Sequence, residues 1–447
     1  MSNAAEPTER VGVLDRVLRA FSDVKPGESL TALLMLVNLF LLLVAYYILK
    51  TLREPLILAG GGAELKSYAS AFQAGLLMGF VPAYGWFSSR VDRVRLIVGV
   101  TLFFIVNLEL FFLGSLFGIP YLGFMFFVWL GIYTLAIIAQ FWSYANDIYT
   151  REAGARLFPL IAIGATAGSP VGSKVAGWLF KSGVGTAFIF QIPVVILGLH
   201  LALTLVINRR VTRPDSPQAP EAEQERLSKE GGFMLVLRSP YIRLIALLIV
   251  LLNLVNTTGE YILGKWVIAA AREALPAGLT GAAAKEHTKS FIGAFYADFF
   301  FWVNIASLLI QGFLVSRIVK YTKMAGVLLL LPIISLGAYA LMAFGAGFVI
   351  LRWAKTAENS TDYSVMNTAK AMLWLPTSRD EKYKAKQAVD TFFVRIGDLL
   401  HAALVFAGTA WLGFSLRTFA LANVVLIAAW MAVAVLLLRR HRQLSET

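Results

Sequence analysis

The chain has 447 residues, of which 58% are hydrophobic and 15% are charged, and its mean hydropathy is +0.70. Apolar runs of about 20 residues recur along its length, so the composition excludes an ordinary soluble globular protein and predicts a polytopic helical membrane protein. The formal net charge is +13. Because the basic residues cluster in short loops between apolar runs, this excess indicates membrane topology and not nucleic-acid binding.

An N-terminal segment, residues 1–28, precedes the first apolar run. Its apolar residues fall at helical spacing between Val11 and Phe21, which predicts a short interfacial helix on the cytoplasmic side. A disordered tail is the alternative. The segment is charged and has no cleavage site, so we expect no signal peptide.

Twelve membrane spans are predicted from apolar runs of the required length. They lie at 30–52, 66–87, 96–117, 121–148, 156–180, 186–207, 240–264, 290–315, 325–344, 346–376, 388–412 and 415–438. The polar, Pro-containing stretch Val211–Glu230 predicts a flexible cytoplasmic linker. The expected organisation is therefore an N-terminal six-helix half at 29–207, a linker at 208–238 and a C-terminal six-helix half at 239–447.

The loops set the expected topology. Lys and Arg follow every even-numbered span, whereas the connectors near 118–120 and 344–346 carry neither, so both termini are predicted to be cytoplasmic. Related Ser-Arg-aliphatic sequences begin at Phe87 and Leu314, after the second and eighth spans. Two matching halves predict parallel repeats of the major-facilitator type, with a substrate near the midplane between them.

Charged residues inside the first and third spans are candidates for function. Lys50 and Arg53 share one helix face, and if the helix continues to Leu58 both lie well inside the membrane protein. The alternative is that they snorkel to the outer interface. Glu109 lies near the middle of an apolar span, where a carboxylate is neutral, paired with a base, or a carrier of a proton or cation.

The fourth span ends in Asn146 and Asp147, just before a charged turn. We expect Asp147 to pair with Arg151 or Arg156, either as a cytoplasmic charge lock or as part of a ligand site.

The fifth span carries Gly164, Gly168 and Gly172 at four-residue spacing. Small residues at this spacing predict close packing against another helix, and the same smooth face would also serve a helix that slides during transport. Lys174, in the same span, is a candidate buried base.

The tenth span carries the densest set of charges. Several charges at bilayer depth predict a wet polar surface that faces a cavity or paired groups. These residues are Arg352, Lys355, Glu358, Asp362 and Lys370, with Asn359 between them.

The seventh and eleventh spans add further charged candidates. Glu260 and Lys265 form either a local pair or part of a ligand site. Arg395 and Asp398 are spaced by three residues, and either pair with each other or leave Arg395 to contact ligand phosphates. Asp390 lies earlier in the eleventh span.

Several kinds of catalytic and metal site have no sequence support. There is no cysteine and no P-loop sequence, and the four histidines lack metal-ligand spacing. We therefore predict no enzyme activity, no metal and no cofactor.

Three motifs carry a resemblance to a known family. They comprise Tyr46, Lys50, Arg53 and Glu54 at the end of the first span; Phe141, Trp142, Ala145 and Asn146 at the end of the fourth; and Tyr363, Ser364, Lys370, Trp374, Pro376, Ala388 and Asp390 in and after the tenth. The chain resembles, over nearly its whole length, the non-mitochondrial ATP/ADP and NTP/NDP exchangers of plastids and bacteria. The resemblance implies a twelve-helix major-facilitator-like fold and substrate or coupling roles for Arg53, Glu260 and Lys370. The Lys-Asp pair of the family is Arg53-Glu54 here.

The predicted function is exchange of nucleoside di- and triphosphates by alternating access, because a nucleotide needs a basic cavity. The alternative is a proton-coupled carrier of another organic anion, with Glu109 or Glu260 as proton site. We expect a monomer in a bacterial-type inner membrane that contacts lipid and no nucleic acid. The predicted substrate-binding residues are Lys50, Arg53, Asn146, Lys174, Glu260, Lys265, Arg352, Lys355, Asn359, Lys370 and Arg395. The predicted coupling or gating residues are Glu54, Glu109, Asp147, Glu358, Asp362, Asp390 and Asp398.

Overall fold

A computed structural model describes Leu18 and residues 22–25, 27–88, 90–211 and 232–446. In these ranges the chain is almost entirely helical and forms no strand. Apart from Leu18, the interfacial helix expected between Val11 and Phe21 lies outside the described residues, and so does the middle of the predicted linker, 212–231.

The N-terminal half consists of five long helices. They are α1 (Ser29–Ser88), α2 (Arg93–Leu116), α3 (Leu122–Ile148), α4 (Arg151–Lys181) and α5 (Gln191–Val211), with a 3₁₀ turn at Thr186–Phe190 before α5. At about 1.5 Å per residue a straight α1 would be about 90 Å long, three times the bilayer core, so it must contain two spans. The chain turns back at Gly62, where φ is 78° and the helical geometry breaks.

The C-terminal half repeats this design with more interruptions. Its helices are α6 (Gly232–Arg238), α7 (Pro240–Glu273), α8 (Gly281–Leu309), α9 (Val315–Ala343), α10 (Phe348–Thr361), α11 (Asn367–Leu373), α12 (Lys386–Ala388), α13 (Val394–Phe406) and α14 (Leu416–Glu446). Single π-helical turns interrupt them at Ile310–Leu314, Asp362–Met366, Glu381–Ala385, Val389–Phe393 and Ala407–Trp411. A positive φ of 53° at Lys323 separates the eighth span from the ninth.

These helices confirm the predicted class, an all-α membrane protein of the major-facilitator type. Within the described ranges, eight helical stretches are long and apolar enough to cross a membrane, and two of them, Ser29–Ser88 and Gly281–Ala343, each contain two spans. The fifth and tenth spans fall outside this set because small and charged residues lower their hydropathy. Helices occupy both ends of the predicted linker range, since α5 continues to Val211 and α6 fills 232–238.

The glycine face of α4 packs directly on the first arm of α1. A Cβ built on Gly168 would lie 2.6 Å from the carbonyl oxygen of Phe40, and one built on Gly172 would lie 2.7 Å from that of Val44. These distances are shorter than any ordinary contact, so only glycine allows the approach. The close-packing interpretation of the glycine spacing is confirmed.

Ion pairs within the N-terminal half mark the membrane face at which Ser29 begins, which we call the terminal face. Arg93 contacts Asp147 at 2.7 Å, and Arg156 contacts Glu28 at 2.9 Å. The predicted partners of Asp147 were therefore wrong, because Arg93, the first residue of α2, pairs with it instead. Burial acts to raise the pKa of Glu28, but the hydrogen bonds from Arg156 and from the Lys25 backbone, together with the positive charges of both residues, outweigh it, and this pKa lies below its ordinary value.

The same substitution at two glycines should change stability in opposite directions. Gly168→Ala forces a methyl group into the Phe40 carbonyl, and overpacking of this kind costs about 1–3 kcal/mol. Gly198→Ala meets no atom within 4 Å, so alanine should gain about 0.5–1 kcal/mol from its helix propensity. We expect thermal unfolding of the purified protein to show a lower Tm for the first variant and an equal or higher Tm for the second. Equal shifts in both would contradict close packing at Gly168.

Candidate functional site

A cavity of about 170 Å³ lies between the two halves. The N-terminal half contributes residues from both arms of α1 and from α3, and the C-terminal half contributes residues from α7, α8, α10 and α13. The lining residues are Lys50, Arg53, Lys66, Ser67, Ser70, Phe127, Asn256, Thr257, Glu260, Tyr261, Phe300, Asn359, Tyr363 and His401. Of the predicted substrate-binding residues, Lys50, Arg53, Glu260 and Asn359 line it.

Glu54 forms the N-terminal side of a buried charge network. Its carboxylate is completely buried, accepts hydrogen bonds from Arg53, and lies 2.7 Å from the Lys66 ammonium. The turn at Gly62 brings Lys66 back beside Glu54, which lies twelve residues earlier in the chain. Our prediction omitted Lys66, although a lysine just after a run of three glycines was the available signal.

Lys355 forms the C-terminal side of the network. Its ammonium is completely buried and lies 2.9 Å from Glu358 and 2.8 Å from the side-chain oxygen of Asn256. Tyr339 donates a hydrogen bond to Glu358 at 3.1 Å. The close approach of Lys355 to α7 requires Gly259, since a Cβ there would lie 2.8 Å from the Lys355 ammonium.

Glu260 joins the two sides. Its carboxylate lies 3.7 Å from Lys66 and 3.9 Å from Lys355, and it accepts a hydrogen bond of 3.1 Å from Asn359. The alternative of a local pair with Lys265 was wrong. Lys265 instead contacts Glu64 at 2.6 Å, so each of these groups pairs across the two halves.

The cavity is less basic than the sequence predicted. In and beside it, the four cations Lys50, Arg53, Lys66 and Lys355 face the three carboxylates Glu54, Glu260 and Glu358, which leaves one net positive charge (four minus three). Among the described residues, no carboxylate lies within 4.0 Å of the Lys50 ammonium. Its neighbours are the rings of Phe300, at 4.5 Å from the centroid, and Tyr47, at 5.1 Å.

Four other predicted substrate-binding cations each pair with a carboxylate outside this cavity. The pairs are Lys265–Glu64, Arg352–Asp298, Lys370–Asp362 at 3.7 Å and Arg395–Asp398 at 3.4 Å. Asp390 pairs with Lys386 at 3.5 Å. Two alternatives were predicted for Arg395, a pair with Asp398 or a contact with ligand phosphates, and the structure shows the pair with Asp398.

Three predicted residues lie away from the cavity. Lys174 was expected to be buried, but it is exposed beside the ring of Phe301, because it lies about 200° around the helix from the packed Gly172. Asn146 is exposed at the end of α3. Glu109 accepts a hydrogen bond of 2.9 Å from Gln191 at the start of α5.

Polar contacts close the membrane face opposite to the terminal face. Glu64 accepts hydrogen bonds from Lys265 at 2.6 Å and from Tyr261 at 2.9 Å, and the backbone N–H of Thr186 donates to Glu286 at 2.6 Å. Burial acts to raise the pKa of Glu64, but its hydrogen bonds, including those from Lys265 and Tyr261, and the charge of Lys265 together outweigh it, and the pKa is lowered. Two ion pairs join the halves in the described ranges. Lys265–Glu64 lies at this face, and Lys66–Glu260 lies at the central cavity. The conformation is therefore closed at the opposite face.

Comparison with known proteins gives a consistent result. The family model described as "TLC ATP/ADP transporter" matches residues 123–441, well over half of the chain. The chain is 22% identical over 342 residues to ADP,ATP carrier protein 1 of Chlamydia pneumoniae, covering 66% of this chain and 62% of that protein. It is 22% identical to the chloroplastic ADP,ATP carrier protein 1 of Arabidopsis thaliana, covering 67% of this chain and 51% of that one. The chain thus spans less than two thirds of the length of these relatives.

A solved structure supports the fold. The nucleoside transporter NupG matches with a TM-score of 0.62 and 16% sequence identity, covering 90% of this chain and 98% of that one. At this identity the likeness establishes the major-facilitator-like fold alone.

Removing Glu54 should destabilise the protein strongly. Glu54→Gln leaves Arg53 and Lys66 without their shared buried carboxylate, and breaking a buried pair costs about 3–5 kcal/mol. Asp390→Asn is the matched control, because its pair with Lys386 is 46–52% exposed and such pairs contribute at most about 1 kcal/mol. We expect the Tm of the first variant to fall by several degrees more than that of the second. Similar Tm values would contradict a tightly coupled network at Glu54.

Proposed function

The chain belongs to the TLC ATP/ADP transporter family, and from that premise we propose that it exchanges nucleoside di- and triphosphates across a membrane by alternating access. It is a multi-pass membrane protein, and the family is one of transporters. We further propose a monomer in a bacterial inner membrane with both termini in the cytoplasm, so that the terminal face is the cytoplasmic one.

The position of Glu260 between two lysines carries the proposal. Lys66 belongs to the N-terminal half and Lys355 to the C-terminal half, and the Glu260 carboxylate contacts both. Phosphate oxygens of a nucleotide are the same kind of partner for an ammonium group as a carboxylate. A bound polyphosphate would therefore compete with Glu260 for the two lysines and loosen the connection between the halves.

This competition gives a physical reason for exchange. A buried charge that loses a partner costs several kcal/mol, so the network favours states in which an anionic group lies between Lys66 and Lys355. With no nucleotide bound, Glu260 supplies that pairing and holds the opposite face closed. Departure of one nucleotide would restore the closed state, and reopening would require another nucleotide.

The volume of the central cavity also bears on the proposed exchange cycle. Sites for drug-sized ligands usually measure about 300–1,000 Å³, and the central cavity has about 170 Å³. A whole nucleotide therefore has to extend beyond this cavity or requires the halves to separate on one side, as they do in alternating access.

Proteoliposomes provide the test. Vesicles loaded with ADP should accumulate labelled external ATP, whereas empty vesicles should accumulate little, and a protonophore should leave the uptake unchanged. No uptake into ADP-loaded vesicles would contradict the proposal. Uptake that collapses with the protonophore and ignores internal ADP would favour a proton-coupled anion carrier.

A substitution makes this test specific to the cavity. Among the described residues no carboxylate contacts the central cation Lys50, so Lys50→Gln should lower the uptake rate at subsaturating ATP by about tenfold or more. Lys181→Gln is the control, because Lys181 is exposed at the end of α4 and should retain the wild-type rate. Membrane levels of both variants should be compared by immunoblot. A rate for Lys50→Gln within twofold of wild type would exclude Lys50 from the site.

A further inference from the structure

A second cavity, of about 490 Å³, lies beside the central one and belongs entirely to the C-terminal half. The polar and aromatic residues that matter in its wall are Asn253, Asn256, Asp362, Asn367, Lys370 and Trp374. Asn256 lines both cavities, so a single ligand could occupy the two together. The second cavity alone has the volume of a small-molecule site, whereas the central cavity does not.

The charges in the two cavities differ. In the second one Lys370 is paired with Asp362 at 3.7 Å and Lys386 with Asp390 at 3.5 Å, so the positive and negative charges balance. The central cavity carries the net positive charge and includes Lys50, which contacts no carboxylate in the part of the chain that the structure describes. Phosphates are therefore favoured in the central cavity, and the second cavity suits an uncharged, hydrogen-bonding group.

Unusual backbone geometry in the wall of the second cavity is a separate indication of function. Two π-helical turns, Asp362–Met366 and Val389–Phe393, each place their aspartate in the wall of the second cavity. Turns of this kind are frequent at functional sites.

Asp362 also has an unused acceptor. Its Oδ1 atom is buried and accepts no hydrogen bond from a described residue, since the Lys370 ammonium at 3.7 Å is beyond hydrogen-bond distance. A buried carboxylate oxygen without a donor is costly, and a ligand hydroxyl would satisfy it once the carboxylate turns this oxygen toward the cavity that Asp362 lines.

We propose that the second cavity holds the nucleoside part of the substrate and that Asp362 accepts a hydrogen bond from a ribose hydroxyl. Carboxylates perform this role toward ribose in other nucleotide sites. The phosphates then extend past Asn256 toward Lys50, and Trp374 gives the nucleoside an aromatic wall. This inference rests on the proposed nucleotide exchange, and it makes Asp362 a residue that selects ribonucleotides.

The test compares substrates within one variant. Exchange of ATP, 2′-deoxy-ATP and 3′-deoxy-ATP is measured in ADP-loaded proteoliposomes, and kcat/KM ratios are reported. Wild type should prefer ATP over at least one deoxynucleotide by about tenfold or more, because a hydrogen bond to a charged group is lost. Asp362→Ala should bring that ratio to within about twofold of one. A merely structural defect would lower all three rates together and leave the ratio unchanged.

Controls separate the possible failures. Asp380→Ala removes an aspartate that does not line the cavity and should keep the wild-type ratio. If Asp362→Ala does not insert into the membrane, Asp362→Asn keeps the size of the side chain and should still lower the ratio severalfold. Wild type without any ribose preference, or a preference that survives both substitutions, overturns the inference while nucleotide exchange itself stands. Absence of all exchange in wild type overturns the proposed function instead.

Discussion

The contact of one carboxylate with lysines from both halves is the interaction on which this structure depends. Glu260 lies 3.7 Å from Lys66 and 3.9 Å from Lys355, and behind each lysine stands a completely buried or nearly buried glutamate, Glu54 or Glu358. A single unpaired charge buried at this position would cost several kcal/mol of stability, so the acidic and basic groups of the network have to stay paired with one another. The helices around this network pack closely enough to keep its charges in contact. At Gly259, for example, the lack of a side chain lets the Lys355 ammonium approach α7.

The network also relates the cavity to the closed opposite face. Tyr261 and Lys265, which both donate to Glu64, follow Glu260 on α7, so a change in the pairing of Glu260 acts on the same helix that carries part of this closure. A transporter with this arrangement has its substrate site and its gate on one rigid element. The π-helical turns of the C-terminal half then provide local places where α10 and the eleventh span can readjust.

Sequence periodicity was sufficient for the spans and for the glycine face of α4, because both depend on local patterns. It also made Lys50 and Arg53 candidates for inward-facing charges, and the family resemblance added Glu260. It could not give their partners: Lys265 has a glutamate five residues away in sequence but pairs with Glu64, about 200 residues distant. Lys66 was missed for the same reason, since its role depends on how sharply the chain turns at Gly62. Charge pairing between halves is a tertiary property that spacing along one helix does not contain.

The central claim is that Glu260 competes with the substrate for the two lysines, and ATP binding to Glu260→Gln tests it most directly. Isothermal titration of the purified variant should give a Kd about tenfold lower than wild type, because the competing carboxylate is gone while the lysines keep their other partners. Asp298→Asn, which alters a pair outside the cavity, should bind ATP like wild type. Weaker ATP binding to Glu260→Gln would show that Glu260 supports the bound substrate and would contradict the competition.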